Sequence, residues 1–223
     1  MPDSDNESTV TLGLLNAVEG NSAITQRGAA KELGIALGLT NSYLKRCVKK
    51  GLIKIQQAPA NRYTYYLTPS GLVEKARLTA EFLSQGFQFF RLARTQCEDI
   101  FNLCEKQGWQ RVGLHGLTDL AEIAVLCAAN FDIEIIGIID DGSALESYTE
   151  KPVVRELADL GEFEVILITD LGNPQASYDK ICQIIPENKV LAPDILNISR
   201  TDGAPGDGKC RRVMRFTRNP AAK

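Results

Sequence analysis

The sequence predicts an α+β winged helix-turn-helix domain over 1–69, a long connecting helix over 70–107 and an α/β Rossmann-like parallel-sheet domain over 108–200. A flexible basic tail over 201–223 follows. Three observations predict this. The hydrophobic period changes from helical spacing to strand alternation near Gly51, and later to continuous apolar runs alternating with helical segments. No Pro interrupts the thirty-odd residues after Pro69. Charge is also segregated: Ser22 to Ala80 hold ten Lys/Arg against two acids, whereas Asp119 to Asp207 hold eighteen acids against five bases. The net charge of -3 is an average over units with different partners.

Thr9 to Val18 carries Leu12, Leu15 and Val18 at helical spacing and stops at Gly20-Asn21. Thr25 is the expected N-cap of a second helix ending at Leu33, with Ala29, Ala30 and Leu33 inward. Gly34 to Gly38 supplies a turn, and a third helix runs from Leu39 to Lys50. Thr40, Leu44, Cys47 and Val48 form its inner side, leaving Ser42, Tyr43, Lys45, Arg46 and Lys49 on or beside the outer one. A hairpin follows: a strand from Gly51, a turn at Ala58 to Asn61, and Arg62 to Thr68 returning. A helix of this size fits the DNA major groove, where polar side chains reach base edges and Lys or Arg neutralise phosphates. The expected DNA contacts are therefore Thr25, Gln26, Arg27, Ser42, Tyr43, Lys45, Arg46 and Lys49, with Asn61 and Arg62 at the wing. A winged helix can instead serve protein–protein contact.

In the connecting helix, Ala76, Ala80, Leu83, Phe87, Phe90, Arg94, Cys97, Phe101 and Cys104 recur in steps of four and three. That spacing is a heptad seam, suited to a two-fold homodimer through the 70–107 helix or to an amphipathic helix packed on its own chain. Arg94 can pair with Glu98, and Cys97 and Cys104 could face their copies as an interchain redox switch.

In the last domain, Arg111 to Leu114 is a short strand, His115 to Asp119 a Gly-containing loop and Leu120 to Asn130 a helix. Ile133 to Ile139 reads as a strand buried on both faces, Val154 to Asp159 as a short helix and Glu164 to Thr169 as a further buried strand. Ser177 to Ile185 is helical and Lys189 to Ala192 extended, giving a parallel sheet of at least four strands with a break from the preceding part near Gly108. In such sheets a ligand lies beyond the carboxyl ends of the strands. The candidate ligand residues are Gly113, His115, Gly116, Leu117 and Thr118 of the loop, Asp140 and Asp141 after the second strand, and Thr169. Loop amides can cradle a phosphate, and an acid some twenty residues on can take a ribose diol. GLHGLTD departs from G-x-G-x-x-G, with His115 in the second glycine position and Thr118 in the third; His115 can contact a ligand or simply fill the turn, and Asp119 can cap the helix.

GLIKIQQAPANRYTYYLTPSGLVEKARLTAEFL resembles MarR-type regulators, particularly those associated with exopolysaccharide gene clusters, through Gly51 to Lys54, Tyr66 to Pro69, Gly71, Lys75 to Ala76, Leu78 to Thr79 and Phe82 to Leu83. The resemblance covers roughly residues 10 to 85 and implies double-stranded DNA binding and transcriptional control. The later pattern of Gly113, Gly116, Ile138 to Asp141, Pro152 to Val154 and Val165 to Thr169 looks like the nucleotide-sugar-binding domains of sialic-acid-type O-acyltransferases. It implies a nucleotide-type ligand, a nucleotide sugar of polysaccharide biosynthesis. The architecture is similar to that of the Rex redox-sensing repressors, which implies NAD(H) as the alternative ligand; an accessory protein to a nucleotide-sugar enzyme and a vestigial, ligand-free sheet domain are further readings.

One His, six scattered Cys without a CxxC pair and no Ser/His/Asp set argue against a metal centre, a disulfide framework and an enzyme. No apolar run reaches the ~18 residues of a membrane span, and the polar, acidic first residues are no secretory signal, so a cytoplasmic location without membrane partners is expected. Gly203 to Cys210 (GAPGDGKC) imitates the start of a phosphate-binding loop but has Cys where a hydroxyl is needed. It reads better as a linker to the basic tail, which could touch DNA or the acidic domain.

Overall fold

Apolar spacing in the first fifty residues resolves into three helices in the computed structural model, which describes residues 3–58 and 62–200. They are α1 (Asp3–Gly20), α2 (Gln26–Leu33) and α3 (Leu37–Lys49). Thr25 caps α2 by accepting the Gly28 amide at 3.0 Å, and Gly34 ends it with φ +64°, a left-handed turn that a side chain would strain. The turn is two residues shorter than expected, because α3 begins at Leu37 with the Thr40 hydroxyl donating back to the Ala36 carbonyl. Strands β1 (Ile53–Ala58) and β2 (Arg62–Leu67) pair antiparallel with Ile53 opposite Leu67. Leu14, Leu15, Val18, Leu44, Cys47, Ile53 and Tyr65 pack as one core beneath them, joined by Leu78.

Helix α4 (Pro69–Gln107) starts with Pro at its first position, where a missing N–H costs nothing, and with the Thr68 hydroxyl accepting the Gly71 amide. The chain divides into two compact units, Met1–Phe90 and Arg91–Lys223. The division lies inside α4 rather than near Gly108. Its cause is burial: Ala93, Cys97, Phe101 and Cys104 are fully enclosed within the second unit, where Phe101 meets Phe131 at 5.7 Å between ring centroids. Each large apolar side chain so enclosed contributes about 1.5–3 kcal/mol.

The second unit is built on a six-stranded sheet in the order β5-β6-β4-β3-β7-β8. Its strands are β3 (Arg111–His115), β4 (Glu134–Ile139), β5 (Ser147–Tyr148), β6 (Lys151–Val154), β7 (Val165–Ile168) and β8 (Val190–Leu191). All pairings are parallel except β5 with β6. Counted in chain order the parallel strands lie 3-2-1-4-5, so the connections diverge on either side of β3 and open a crevice between β3 and β7. Helix α5 (Asp119–Ala128) follows β3, and α6 (Pro174–Cys182) follows β7. The helix expected at Val154 to Asp159 is not formed. Val154 ends β6, and a single 3-10 turn (Leu157–Leu160) replaces it, since only ten residues separate β6 from β7.

Asn61, the turn from Pro59 and the segment 201–223, with its Gly203 to Cys210 stretch, lie outside the described residues, as does the side chain of Arg62. Among the described residues no helix is long and apolar enough to cross a membrane.

Candidate functional site

The first candidate surface is the outer side of α3. Thr40, Leu44 and Cys47 face the core, and the 3.6-residue period leaves Ser42, Lys45, Arg46 and Lys49 exposed with Tyr43 half-buried. The Arg46 guanidinium lies 5.1 Å from the Tyr43 ring centroid and pairs with Glu7 of α1 at 2.6 Å. That hydrogen bond holds the Glu7 carboxyl below the usual carboxylate range. Ser42 donates back to the Gly38 carbonyl. Thr25, Gln26 and Arg27 are exposed at the start of α2, where the Gln26 amide nitrogen is 3.4 Å from the Tyr65 hydroxyl. Glu7 is the member of this surface that sequence reasoning missed. An acid at the start of α1 was visible, but nothing in the spacing paired it with α3.

The second candidate site lies beyond the carboxyl ends of β3, β4 and β7, and the structure redistributes the roles expected there. Gly113 is no phosphate cradle. A Cβ on it would stand 2.4 Å from Leu160 and 2.7 Å from Ile166, so its hydrogen seats the 3-10 turn on the sheet, a role Gly137 shares. Gly116 has φ +105°, and a Cβ there would lie 2.6 Å from the Asp170 backbone; it lets the β3 and β7 loops touch. The Leu117 amide, expected to face a phosphate, donates to Asp140 Oδ2 at 2.9 Å. Asp140 Oδ1 accepts the Gly142 amide, so this acid holds two loops together rather than standing free for a ribose. Thr118, not Asp119, caps α5, accepting the Leu120 amide while donating to the Thr169 carbonyl. Thr169 is fully buried, its hydroxyl 2.6 Å from the Gly116 carbonyl and 3.1 Å from that of His115.

His115 and Asp141 are among the residues that line open space at this end of the sheet. His115 is 8% exposed, and its enclosed Nδ1 has no hydrogen-bond partner among the described residues; burial, followed by the charge of Lys180, lowers its pKa. Asp141 pairs with Lys180 at 2.9 Å, and that hydrogen bond holds its carboxyl low. These three residues and Ile139 line two adjoining cavities. The larger, about 790 Å³, is further lined by Arg155, Leu157, Phe163, Ile181 and Ile184. The smaller, about 250 Å³, is lined by Gly116, Asp140, Asp170, Asn173 and Ser177. Asp170 was not foreseen, although it stands just past β7 as Asp140 does past β4. Among the described residues no group of three or more His, Cys, Asp or Glu is arranged to hold a metal ion.

The seam of α4 also divides. Cys97 and Cys104 do not lie on an open face: both are enclosed in their own unit, and burial pushes their thiols up to about 12 and about 11. Their positions exclude an interchain disulfide in this fold. Arg94 pairs with Glu98 at 2.8 Å, whereas Leu83, Phe87 and Phe90 are 52%, 60% and 40% exposed.

Residues 8–54 match a family of winged helix-turn-helix DNA-binding domains. No curated protein matches the chain in sequence. Among solved structures, the PcaV transcriptional regulator from Streptomyces coelicolor, bound to its natural ligand, is 22% identical with a TM-score of 0.34. The match covers 36% of this chain and 59% of that one. MepR of Staphylococcus aureus in complex with DNA is 27% identical with a TM-score of 0.33, covering 38% of this chain and 60% of that one. The chain thus spans less than two thirds of either regulator's length.

Proposed function

We propose that the protein is a homodimeric, DNA-binding transcriptional regulator whose second, Rossmann-like unit senses a small metabolite. The observation that carries this is the outward cationic side of α3, with Lys45, Arg46 and Lys49 set on a helix whose opposite side is locked into the core of a winged helix. Such a helix in the major groove brings ammonium and guanidinium groups to phosphates and Ser42 and Tyr43 to base edges. Dimerisation through the exposed apolar side of α4 would present two such helices to a near-palindromic operator. The second unit supplies the sensor, with a cavity of ligand size at the carboxyl ends of its strands. Of the nucleotide-type ligands suggested by the sequence, a base suits the apolar cavity, but the amide that would cradle a pyrophosphate is engaged by Asp140. Ligand binding that favours one arrangement of the dimer would change operator affinity by its differential affinity for the two states.

The test is a gel shift of the full chain against the DNA upstream of its own gene at several salt concentrations. A complex that weakens steeply as salt rises is expected. A chain that forms no salt-dependent complex is not a DNA-binding regulator.

A further inference from the structure

The larger sheet-end cavity leaves apolar surface uncovered. Ile139, Leu157, Phe163, Ile181 and Ile184 line it, and Ile184 is 60% exposed. Apolar surface gathered in this way marks a place where another group docks. The charge around it is unbalanced. Asp140, Asp141, Glu156 and Asp170 line this cavity or the smaller one beside it, against Arg155 and Lys180, and Lys180 is taken by Asp141. An occupant suited to both features is apolar and carries positive charge.

The chain itself supplies such a segment. Outside the described residues, 209–218 holds five bases (Lys209, Arg211, Arg212, Arg215 and Arg218) and no acid, with Val213, Met214 and Phe216 set among them. The place from which it departs is fixed. The Ser199 amide donates to Gln175 Oε1 at 2.8 Å and Gln175 Nε2 donates to the Ser199 carbonyl at 3.2 Å, which ties the chain to the first turn of α6. Asn173 and Ala176, on either side of Pro174-Gln175, line the smaller cavity. The Arg200 guanidinium donates to the carbonyl of Ala192, just past β8. The chain therefore leaves the described fold at the same end of the sheet at which both cavities open. Neighbouring strands lie about 4.8 Å apart, so β6, four places from β8, is roughly 19 Å away. The ten residues 201–210 reach about 33 Å when extended, which covers that span. Tethering supplies an effective concentration of about a millimolar, so a contact with a Kd of that order is already half-formed.

We propose that residues 211–216 dock on the sheet end of their own chain, with Met214 and Phe216 in the cavity of about 790 Å³ and the arginines beside Asp141, Glu156 and Asp170. Met214 and Phe216 are two residues apart, the spacing that sets both on one side of an extended segment. Docked there, the cations meet carboxylates instead of DNA phosphates, and any metabolite of this cavity must displace them. The contact itself does not depend on the cavity being a sensor.

The experiment is hydrogen exchange of the full chain read by mass spectrometry, with helical circular dichroism as the check that each variant is folded. Amides of 155–163 and 180–185 are expected to exchange at least about threefold more slowly than in two variants, Met214→Asp with Phe216→Asp, and Arg211→Glu with Arg212→Glu and Arg215→Glu. The slowing should be independent of protein concentration and should shrink as salt rises. Equal exchange in the unaltered chain and both variants overturns the contact. Slowing that grows with protein concentration also overturns it, and assigns the segment to a second copy. Slowing lost in the arginine variant alone means attraction between charges without insertion, which removes Met214 and Phe216 from the cavity.

Discussion

Arg46 illustrates how one residue can be committed to two partners. On the free protein its guanidinium is held by Glu7 and rests near the Tyr43 ring, yet it occupies the side of α3 that a phosphate would approach. Both partners of this pair are largely solvated, so the pair itself adds little to stability and can exchange for a phosphate. Glu7→Gln removes the competitor and a repulsive charge together, and is expected to tighten DNA binding about threefold at low salt. Fluorescence anisotropy against one labelled duplex reads this directly; equal or weaker binding would show that Glu7 does not compete. The same scale explains why the glycines misled. In the sequence, Gly113 and Gly116 look alike and fit a phosphate loop. What distinguishes them is the atom opposite the missing Cβ: a Leu160 methyl for one, the Asp170 backbone for the other. That atom comes from a segment some fifty residues away, and no local pattern encodes it. By contrast, Thr25 was legible because a cap and its amide lie three residues apart.

At the scale of elements, α4 carries the largest ambiguity. Its steps of four and three made the apolar seam plain, but a period cannot tell what covers it. The structure covers Cys97, Phe101 and Cys104 with the chain's own sheet unit and leaves Leu83 and Phe87 open. The helix expected at Val154 to Asp159 is absent for a related reason: Val154 pairs with Ile139 in the sheet, and Leu160 just beyond plugs the glycines. The long strands were easier, since a run such as Ile135 to Ile139 is buried on both faces and has few other uses. Exposed aromatic residues on the first half of α4 are expected to be the dimer contact. Leu83→Ser with Phe87→Ser should leave the helical circular dichroism unchanged, shift the protein to monomer in sedimentation velocity, and weaken operator binding by at least about tenfold through loss of bivalency. A double variant that remains dimeric would move the interface elsewhere.

For the whole molecule, a net charge of -3 and a pI near 5.4 suggest poor affinity for a polyanion, but the average hides the arrangement. Charges separated by more than about 10 Å of salt solution at 0.1 M act almost independently. A phosphate contact made by α3 is therefore set by the charges within that distance of it, independently of the average over the chain, and a basic block can bind DNA within an acidic protein. This independence has a measurable form. If Lys45, exposed on α3, neutralises one phosphate, Lys45→Ala should reduce the slope of log affinity against log salt by about 0.9 and weaken binding alike on operator and unrelated duplexes. Its thermal stability should hardly move, because substitution of a solvated side chain away from the core changes stability by about 0.5 kcal/mol or less. The titration series at four salt concentrations separates the possibilities. An unchanged slope would mean that Lys45 meets no phosphate and that α3 does not enter the groove on that side. A slope reduced by several contacts at once would mean that the lysine acts by holding the fold of the whole surface.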